Sequence, residues 1–63
     1  MKVNIRKYGT NEIVHTCKNK ADLLKLMFDW RIGEGERTTD ERSTMDEIIE
    51  EFNRCSCDFI AWF

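Results

Sequence analysis

The side chains with soft-metal or thiol chemistry form two short pairs of equal spacing, one near each end of the chain. They are His15 with Cys17 and Cys55 with Cys57, and the chain contains no other histidine or cysteine. Four such ligands could close a tetrahedral zinc site, which helps many small domains to compensate for a limited core. Residues two apart in a strand, however, also point to one face, and cysteine often serves there as a small apolar filler. The elements that carry the two pairs decide between these interpretations.

The spacing itself disfavours zinc. Structural zinc sites usually place two or more residues between paired ligands, on a turning loop that directs both thiolates inward. We therefore predict no cofactor, and zinc held by all four side chains is the alternative. We also predict no enzyme, because no pattern marks an oxyanion hole or an orienting carboxylate beside a histidine and cysteine dyad. Three cysteines are an odd number, which favours reduced thiols over disulfides.

Length and composition predict one folded domain over residues 1–63. The chain is 41% hydrophobic and 35% charged and lacks proline, a composition typical of globular proteins. A fold of this size buries only about 60% of the surface that its unfolded chain exposes, so its stability is marginal. No run approaches the roughly 18 apolar residues of a membrane span, and the first residues lack the apolar segment of a signal peptide. We expect a cytoplasmic protein.

Charge is divided between the two halves of the chain. Residues 1–31 carry seven basic and three acidic side chains, a net charge of +4, whereas residues 32–63 carry three basic and nine acidic ones, a net charge of −6. Such asymmetry favours a charged partner or self-association as a homodimer, and solvated faces of both signs are the alternative.

The first eighteen residues predict a β-hairpin whose turn lies at residues 8–11. With a loop at residues 9–11, Ile5 faces His15 and Val3 faces Cys17. One face then collects the side chains expected in the core, Val3, Ile5, Ile13, His15 and Cys17. The other face is polar except for Tyr8 and Val14, as in an antiparallel sheet with one solvated side.

A first helix is predicted from the N-cap Asn19 to about Trp30, with Asp22 near the positive end of the helix dipole. It is apolar on more sides than one packing partner covers, so a second copy, a partner's groove or the rest of the fold must bury the excess. Gly33 is the expected helix-ending residue. The charged residues 31–42 predict a flexible linker, and a loop that presents its arginines to a partner is the alternative.

A second helix is predicted from Ser43 or Thr44 to Asn53 or Arg54, with an apolar stripe formed by Met45, Ile48, Ile49 and Phe52. Its opposite side carries an acidic ridge composed of Asp46, Glu47, Glu50 and Glu51. Neighbouring side chains on a helix lie about 6 Å apart, close to the phosphate spacing of roughly 7 Å along a nucleic-acid strand. The ridge could therefore imitate nucleic acid or dock into a basic groove, and a merely solvated acidic face is the alternative.

The last eight residues form a segment that is too short and too rich in aromatic side chains for a third helix, and they predict a strand. Alternation places Cys55, Cys57, Phe59, Ala61 and Phe63 towards the core. Ile60 and Trp62 then join Tyr8 and Val14 on the outer surface of the sheet. This apolar patch is a candidate partner surface, because aromatic side chains are frequent binding anchors.

Together these elements predict an α+β fold of ββααβ order, in which a three-stranded antiparallel sheet carries two helices on one face. We predict a non-catalytic protein-binding module, an inhibitor or regulator that uses the acidic ridge, the apolar patch or both to bind a host protein, such as one with a basic nucleic-acid-binding groove. Small size, acidity and the lack of catalytic residues are typical of accessory proteins of phages and mobile elements. The alternative is a zinc-stabilised domain that contacts nucleic acid through the basic hairpin, which carries Lys2, Arg6, Lys7, Tyr8 and Lys18. A pI near 5.3 disfavours direct nucleic-acid binding.

Overall fold

The computed structural model describes residues 2–62 and shows the predicted ββααβ order. The predicted core position of Phe63 lies outside these residues. All three strands are antiparallel, and the sheet order β2-β1-β3 makes β1 the central strand. Both helices pack on one face of the sheet. The elements are β1 (Val3–Lys7), β2 (Ile13–Cys17), α1 (Lys20–Asp29), α2 (Met45–Cys55) and β3 (Phe59–Trp62).

The core lies between the sheet and the two helices. Fully or almost fully buried side chains come from all five elements and from the loop after α1, and they are Val3, Ile5, Cys17, Leu23, Leu26, Met27, Ile32, Ile48, Phe52 and Ala61. Burial of these apolar groups is the main favourable term in the folding of a domain this small. Within residues 2–62, neither helix has the length and apolar character that a membrane crossing requires.

The hairpin has the predicted register at its open end, where Val3 pairs with Cys17 and Ile5 pairs with His15. A β-bulge follows, and Arg6 pairs with Ile13, so that β2 contains one extra residue. Directly paired residues share a face, and a shift by one residue moves a side chain to the opposite face. Ile13 therefore lies on the outer face with Arg6 and is 53% exposed, so its predicted core position is wrong.

Helix α1 begins as predicted, since the side chain of Asn19 accepts a hydrogen bond of 3.0 Å from the backbone N–H of Asp22. It ends in a Schellman motif that does not use Gly33. The N–H of Arg31 donates to the carbonyl of Phe28, and the N–H of Ile32 donates to the carbonyl of Met27. Arg31 takes the left-handed conformation, with φ of 57°, that glycine usually occupies at this position.

Arg31→Gly is expected to stabilise the protein by about 1 kcal/mol, because glycine adopts the left-handed conformation without a steric penalty. Arg31→Ala removes the same exposed side chain and keeps the penalty, so it should leave the free energy of unfolding within about 0.5 kcal/mol of the parent value. Urea unfolding measures both. Equal midpoints for the two variants would contradict the assignment of strain to Arg31.

Helix α2 begins at the capping box that the sequence predicts. The hydroxyl of Thr44 accepts from the N–H of Glu47 at 3.2 Å, and the carboxylate of Glu47 accepts from the N–H of Thr44 at 2.8 Å. The helix ends at Cys55, one or two residues beyond the predicted end at Asn53 or Arg54. Its stripe of Ile48 and Phe52 enters the core, where both side chains are fully buried.

The outer edge of β3 is closed by side chains instead of by another strand. The amide of Asn53 accepts from the N–H of Ala61 at 2.7 Å and donates to the carbonyl of Ala61 at 3.0 Å. The hydroxyl of Ser56 accepts from the N–H of Phe59 at 3.1 Å. An edge strand with unpaired backbone groups can pair with other chains, and these contacts reduce that hazard.

Asn53→Ala should lower the free energy of unfolding by about 2 kcal/mol, because it leaves two backbone groups of the buried Ala61 without partners. Thermal and urea unfolding would measure the loss. Glu50→Ala, at an exposed position on the same helix, is the matched control and should cost less than about 0.5 kcal/mol. A loss no larger than that of the control would show that the Asn53 bridge contributes little.

Candidate partner-binding surface

The surface of the sheet opposite the helices, here called the outer sheet face, carries an apolar patch. The patch consists of Ile13 and Val14 from β2 and of Ile60 and Trp62 from β3, and Arg6 from β1 lies between these two pairs. Ile13 is 53% exposed and Val14 is 40% exposed, whereas Ile60 and Trp62 are half-buried. Tyr8 lies just beyond the end of β1 and is 65% exposed. Of the patch predicted from the sequence, the structure thus shows Tyr8 and Val14 exposed and Ile60 and Trp62 partly covered.

Arg6 occupies the centre of this face. It pairs with Ile13 on one side and with Ile60 on the other, and its guanidinium carbon lies 5.1 Å from the centroid of the Trp62 ring. Nη1 donates a long hydrogen bond of 3.3 Å to the side chain of Asn11. Nε is buried and has no acceptor among residues 2–62. The stack on Trp62 holds the cation, and few of its donors are satisfied within the described chain.

The acidic ridge differs from its expected form at Glu51, which is only 2% exposed. Its carboxylate accepts from the N–H of Thr38 at 2.8 Å, from the hydroxyl of Thr38 at 2.9 Å and from the N–H of Thr39 at 3.2 Å. The hydroxyl of Thr39 donates to it as well, and Arg54 approaches it at 3.4 Å. Glu51 therefore binds the loop after α1 to α2. At Thr38 and Thr39 the predicted flexible linker is held against the helix by these hydrogen bonds.

Burial alone would raise the pKa of the Glu51 carboxyl, since it disfavours the charged form. The hydrogen bonds from the side chains and backbone of Thr39 and Thr38 outweigh burial and lower the pKa from 4.5 to about 2. Glu51 is consequently an ionised, internally satisfied group at neutral pH. Its side chain is not available to a partner.

Three exposed carboxylates remain on the ridge, those of Asp46, Glu47 and Glu50. Glu47 also closes the capping box with Thr44. This shortened ridge lies on the helical layer, on the opposite side of the protein from the outer sheet face. One flat partner surface can therefore contact the ridge or the outer sheet face, but not both.

The four thiol and imidazole side chains are carried by separate parts of the fold. His15 and Cys17 lie on β2, Cys55 ends α2, and Cys57 lies in the bend before β3. Because β1 separates β2 from β3, the backbone that carries His15 and Cys17 lies two strand spacings, about 10 Å, from the strand that follows Cys57. Zinc requires ligand atoms within about 2.3 Å of one point. Among residues 2–62, no three or more His, Cys, Asp or Glu side chains form a group suited to a metal ion.

The individual environments of the cysteines also differ. Cys17 is fully buried, and burial, followed by the nearby charge of Asp22, raises the pKa of its thiol. Cys55 packs partly against the core. Cys57 is exposed, contrary to its predicted core position, because the strand begins only at Phe59 and alternation does not extend back to it. Cys17 fits the interpretation of cysteine as a core filler.

The apolar excess of α1 is only partly buried by the rest of the fold. Phe28 is 70% exposed, and the guanidinium of Arg37 lies 6.0 Å from its ring centroid. Trp30 is 39% exposed and packs at 4.8 Å from Phe59 and 6.3 Å from His15, measured between ring centroids. His15 is thus an exposed residue whose ring contacts Trp30, rather than a buried core residue.

Comparisons of the chain with protein families, with curated proteins and with solved structures find no match.

Proposed function

We propose that this protein is a non-catalytic protein-binding module, an inhibitor or regulator that holds a partner protein on its outer sheet face. The observation that carries this proposal is the bulge in β2. It turns Ile13 out of the core and places it beside Val14 on a face that already contains Arg6 and Trp62. Bulges frequently redirect a side chain next to a functional site.

The composition of this face supports the same conclusion. The solvated side of an antiparallel sheet is usually polar. A contiguous group of exposed apolar side chains on that side is typical of a surface that a partner covers. Arginine, tryptophan and tyrosine are the side chains most enriched at the centres of protein interfaces. Arg6, Trp62 and Tyr8 provide all three within one small area.

The acidic ridge supports a second candidate surface. Asp46 and Glu50 are a like-charge pair one helical turn apart, which costs a few tenths of a kcal/mol in an isolated helix. No ion pair among residues 2–62 involves either carboxylate. A basic groove on a nucleic-acid-binding protein would fit this ridge. Such a protein would be a different partner from the one that binds the outer sheet face.

Affinity capture from the native host, followed by binding measurements with the purified partner, tests the proposal. The double variant Ile13→Ser and Val14→Ser should weaken binding by about a hundredfold, because it removes the apolar contacts while the exposed positions tolerate serine. The matched control is Asp46→Lys with Glu50→Lys, which reverses the ridge and leaves the outer sheet face intact. Circular dichroism verifies the fold of each variant. If the parent and the serine variant bound the partner with equal affinity, the outer sheet face would be excluded as the binding surface. A loss of affinity confined to the lysine variant would assign binding to the acidic ridge.

A further inference from the structure

We propose that Arg6 determines which partner is bound by receiving a carboxylate, so that the bound segment carries an aspartate or glutamate flanked by apolar side chains. This inference rests on the proposed function of the outer sheet face and specifies the chemistry of its partner. It concerns Arg6, the central cation of that face, whose hydrogen bonds within residues 2–62 are incomplete.

The placement of Arg6 leaves its outer end free to bind. The guanidinium carbon lies over the Trp62 ring, 5.1 Å from its centroid, and Nε is enclosed. Among residues 2–62, Nη1 makes only the 3.3 Å hydrogen bond to Asn11. A guanidinium held in this way presents its two terminal nitrogens side by side, which matches the two oxygens of a carboxylate. Because the fork is already oriented, binding costs little further side-chain entropy.

The charges around Arg6 favour an anionic partner group. The described ion pairs join Arg31 to Glu34, Arg42 to Asp40 and Arg54 to Glu51, and none of them involves Arg6. Lys2 directly precedes β1 and Lys18 directly follows β2, so both cations lie at the open end of the hairpin that carries Arg6. The apolar neighbours Ile13, Val14 and Ile60 exclude water when a partner covers them, which strengthens a charge interaction at Arg6.

Two other occupants fit these observations less well. Single-stranded nucleic acid stacks successive bases on several aromatic faces. Arg6 lies over the ring of Trp62, which leaves Tyr8 as the exposed aromatic side chain among the described residues of this surface. A second copy of the chain, docked face to face, would bring the guanidinium groups of two Arg6 side chains together. A carboxylate between apolar side chains satisfies the cation and covers the patch at the same time.

Selection from a random peptide library tests the inference and does not require the natural partner. Twelve-residue peptides are selected on the immobilised parent protein, and only those that lose binding to the variant Ile13→Ser with Val14→Ser are kept. We expect aspartate or glutamate at one position in the selected peptides, with apolar neighbours. The best peptide and its glutamine counterpart are then synthesised and titrated by fluorescence anisotropy.

The glutamine peptide should bind the parent about tenfold more weakly than the acidic peptide. Arg6→Gln should bind both peptides with equal, weakened affinity, and Arg6→Lys should retain part of the preference. Lys18→Gln, which removes an equal, exposed charge just after the end of β2, is the matched control and should reduce affinity by less than about threefold.

The contrary results separate the two proposals. Selected peptides without acidic residues, or an unchanged preference in Arg6→Gln, would overturn the role of Arg6 and leave the proposed function standing. The absence of any peptide that depends on Ile13 and Val14 would overturn both. If the protein bound oligo-dT or oligo-rU more tightly than the acidic peptide, the outer sheet face would be assigned to nucleic acid. If sedimentation velocity showed a dimer for the parent and a monomer for the serine variant, the face would be assigned to a second copy of the chain. Either result would overturn the inference.

Discussion

Glu51→Gln is expected to destabilise the protein by about 3 kcal/mol at neutral pH, a large share of the stability of a 63-residue domain. The carboxylate accepts four hydrogen bonds from Thr38 and Thr39 in a buried position. A neutral amide supplies one weaker acceptor and places an NH₂ group against donors. Urea unfolding at neutral pH, with circular dichroism as the signal, measures the loss.

The same carboxylate should govern part of the acid sensitivity. Its pKa is lowered from 4.5 to about 2 on folding, so the unfolded chain binds the proton more tightly than the folded protein. The contribution of Glu51 is therefore fully present above about pH 5 and is lost as the pH falls towards 2. A series of urea unfolding curves between these values should show a shallower decline for Glu51→Gln than for the parent.

Glu50→Gln is the control for both measurements, because its exposed carboxylate lies on the same helix and accepts no hydrogen bond from residues 2–62. It should change the free energy of unfolding by less than about 0.5 kcal/mol. If Glu51→Gln does not fold, Thr39→Val gives a milder test, since it removes one donor and should cost about 1 kcal/mol. If the stability of the parent and of Glu51→Gln declined in parallel as the pH falls, the assigned role of Glu51 would be contradicted.

Gly33→Ala is expected to destabilise the protein by about 3 kcal/mol for two separate reasons. Gly33 has φ of 69°, where any residue with a Cβ atom is strained. In addition, the new Cβ would lie 3.2 Å from the Sγ of Cys55 and 3.4 Å from its Cβ. Thermal unfolding in the presence of a reducing agent measures the effect.

Gly35→Ala isolates the first of these reasons. Gly35 has φ of 82°, and no atom of residues 2–62 lies within 4 Å of a Cβ placed there, so its substitution should cost only about 1 kcal/mol. In a Cys55→Ala background the cost of Gly33→Ala should fall towards that smaller value, because the clashing sulfur is absent. Equal costs for the two glycine substitutions in the parent would show that the contact with Cys55 is relaxed at no expense.

Local signals in the sequence predicted much of the fold. Asn19 caps α1 and Thr44 caps α2 as expected, because a capping side chain bonds to backbone groups within three residues of itself. The pairings of Val3 with Cys17 and Ile5 with His15 agree with the register predicted from a loop at residues 9–11. Next to the turn, however, Arg6 pairs with Ile13, and the bulge restores the predicted register beyond it. These interactions are short in sequence, and so the residues that make them are visible in a pattern.

The features that define the candidate surface were less predictable. The bulge depends on how β2 fits against β1, and no residue in Ile13–Cys17 marks an extra position. The role of Glu51 depends on Thr38 and Thr39, which reach it from a loop that the helix itself does not specify. Helical spacing gave a hint, because Glu51 lies three residues after the core residue Ile48 and so borders the buried stripe. The position of Trp62 under Arg6 required the pairing of strands from the two ends of the chain.

That pairing has a kinetic consequence. The central strand β1 pairs with β2, its neighbour in sequence, and also with β3, so that Asn4 contacts a residue as distant as Trp62. The hairpin can form within microseconds, but the second ladder must first close almost the whole chain into a loop. During synthesis on a ribosome, β1 therefore stays an unprotected sheet edge until β3 has left the exit tunnel. A chain truncated before Phe59 should keep the hairpin, lose the edge closure by Asn53 and aggregate through Val3–Lys7.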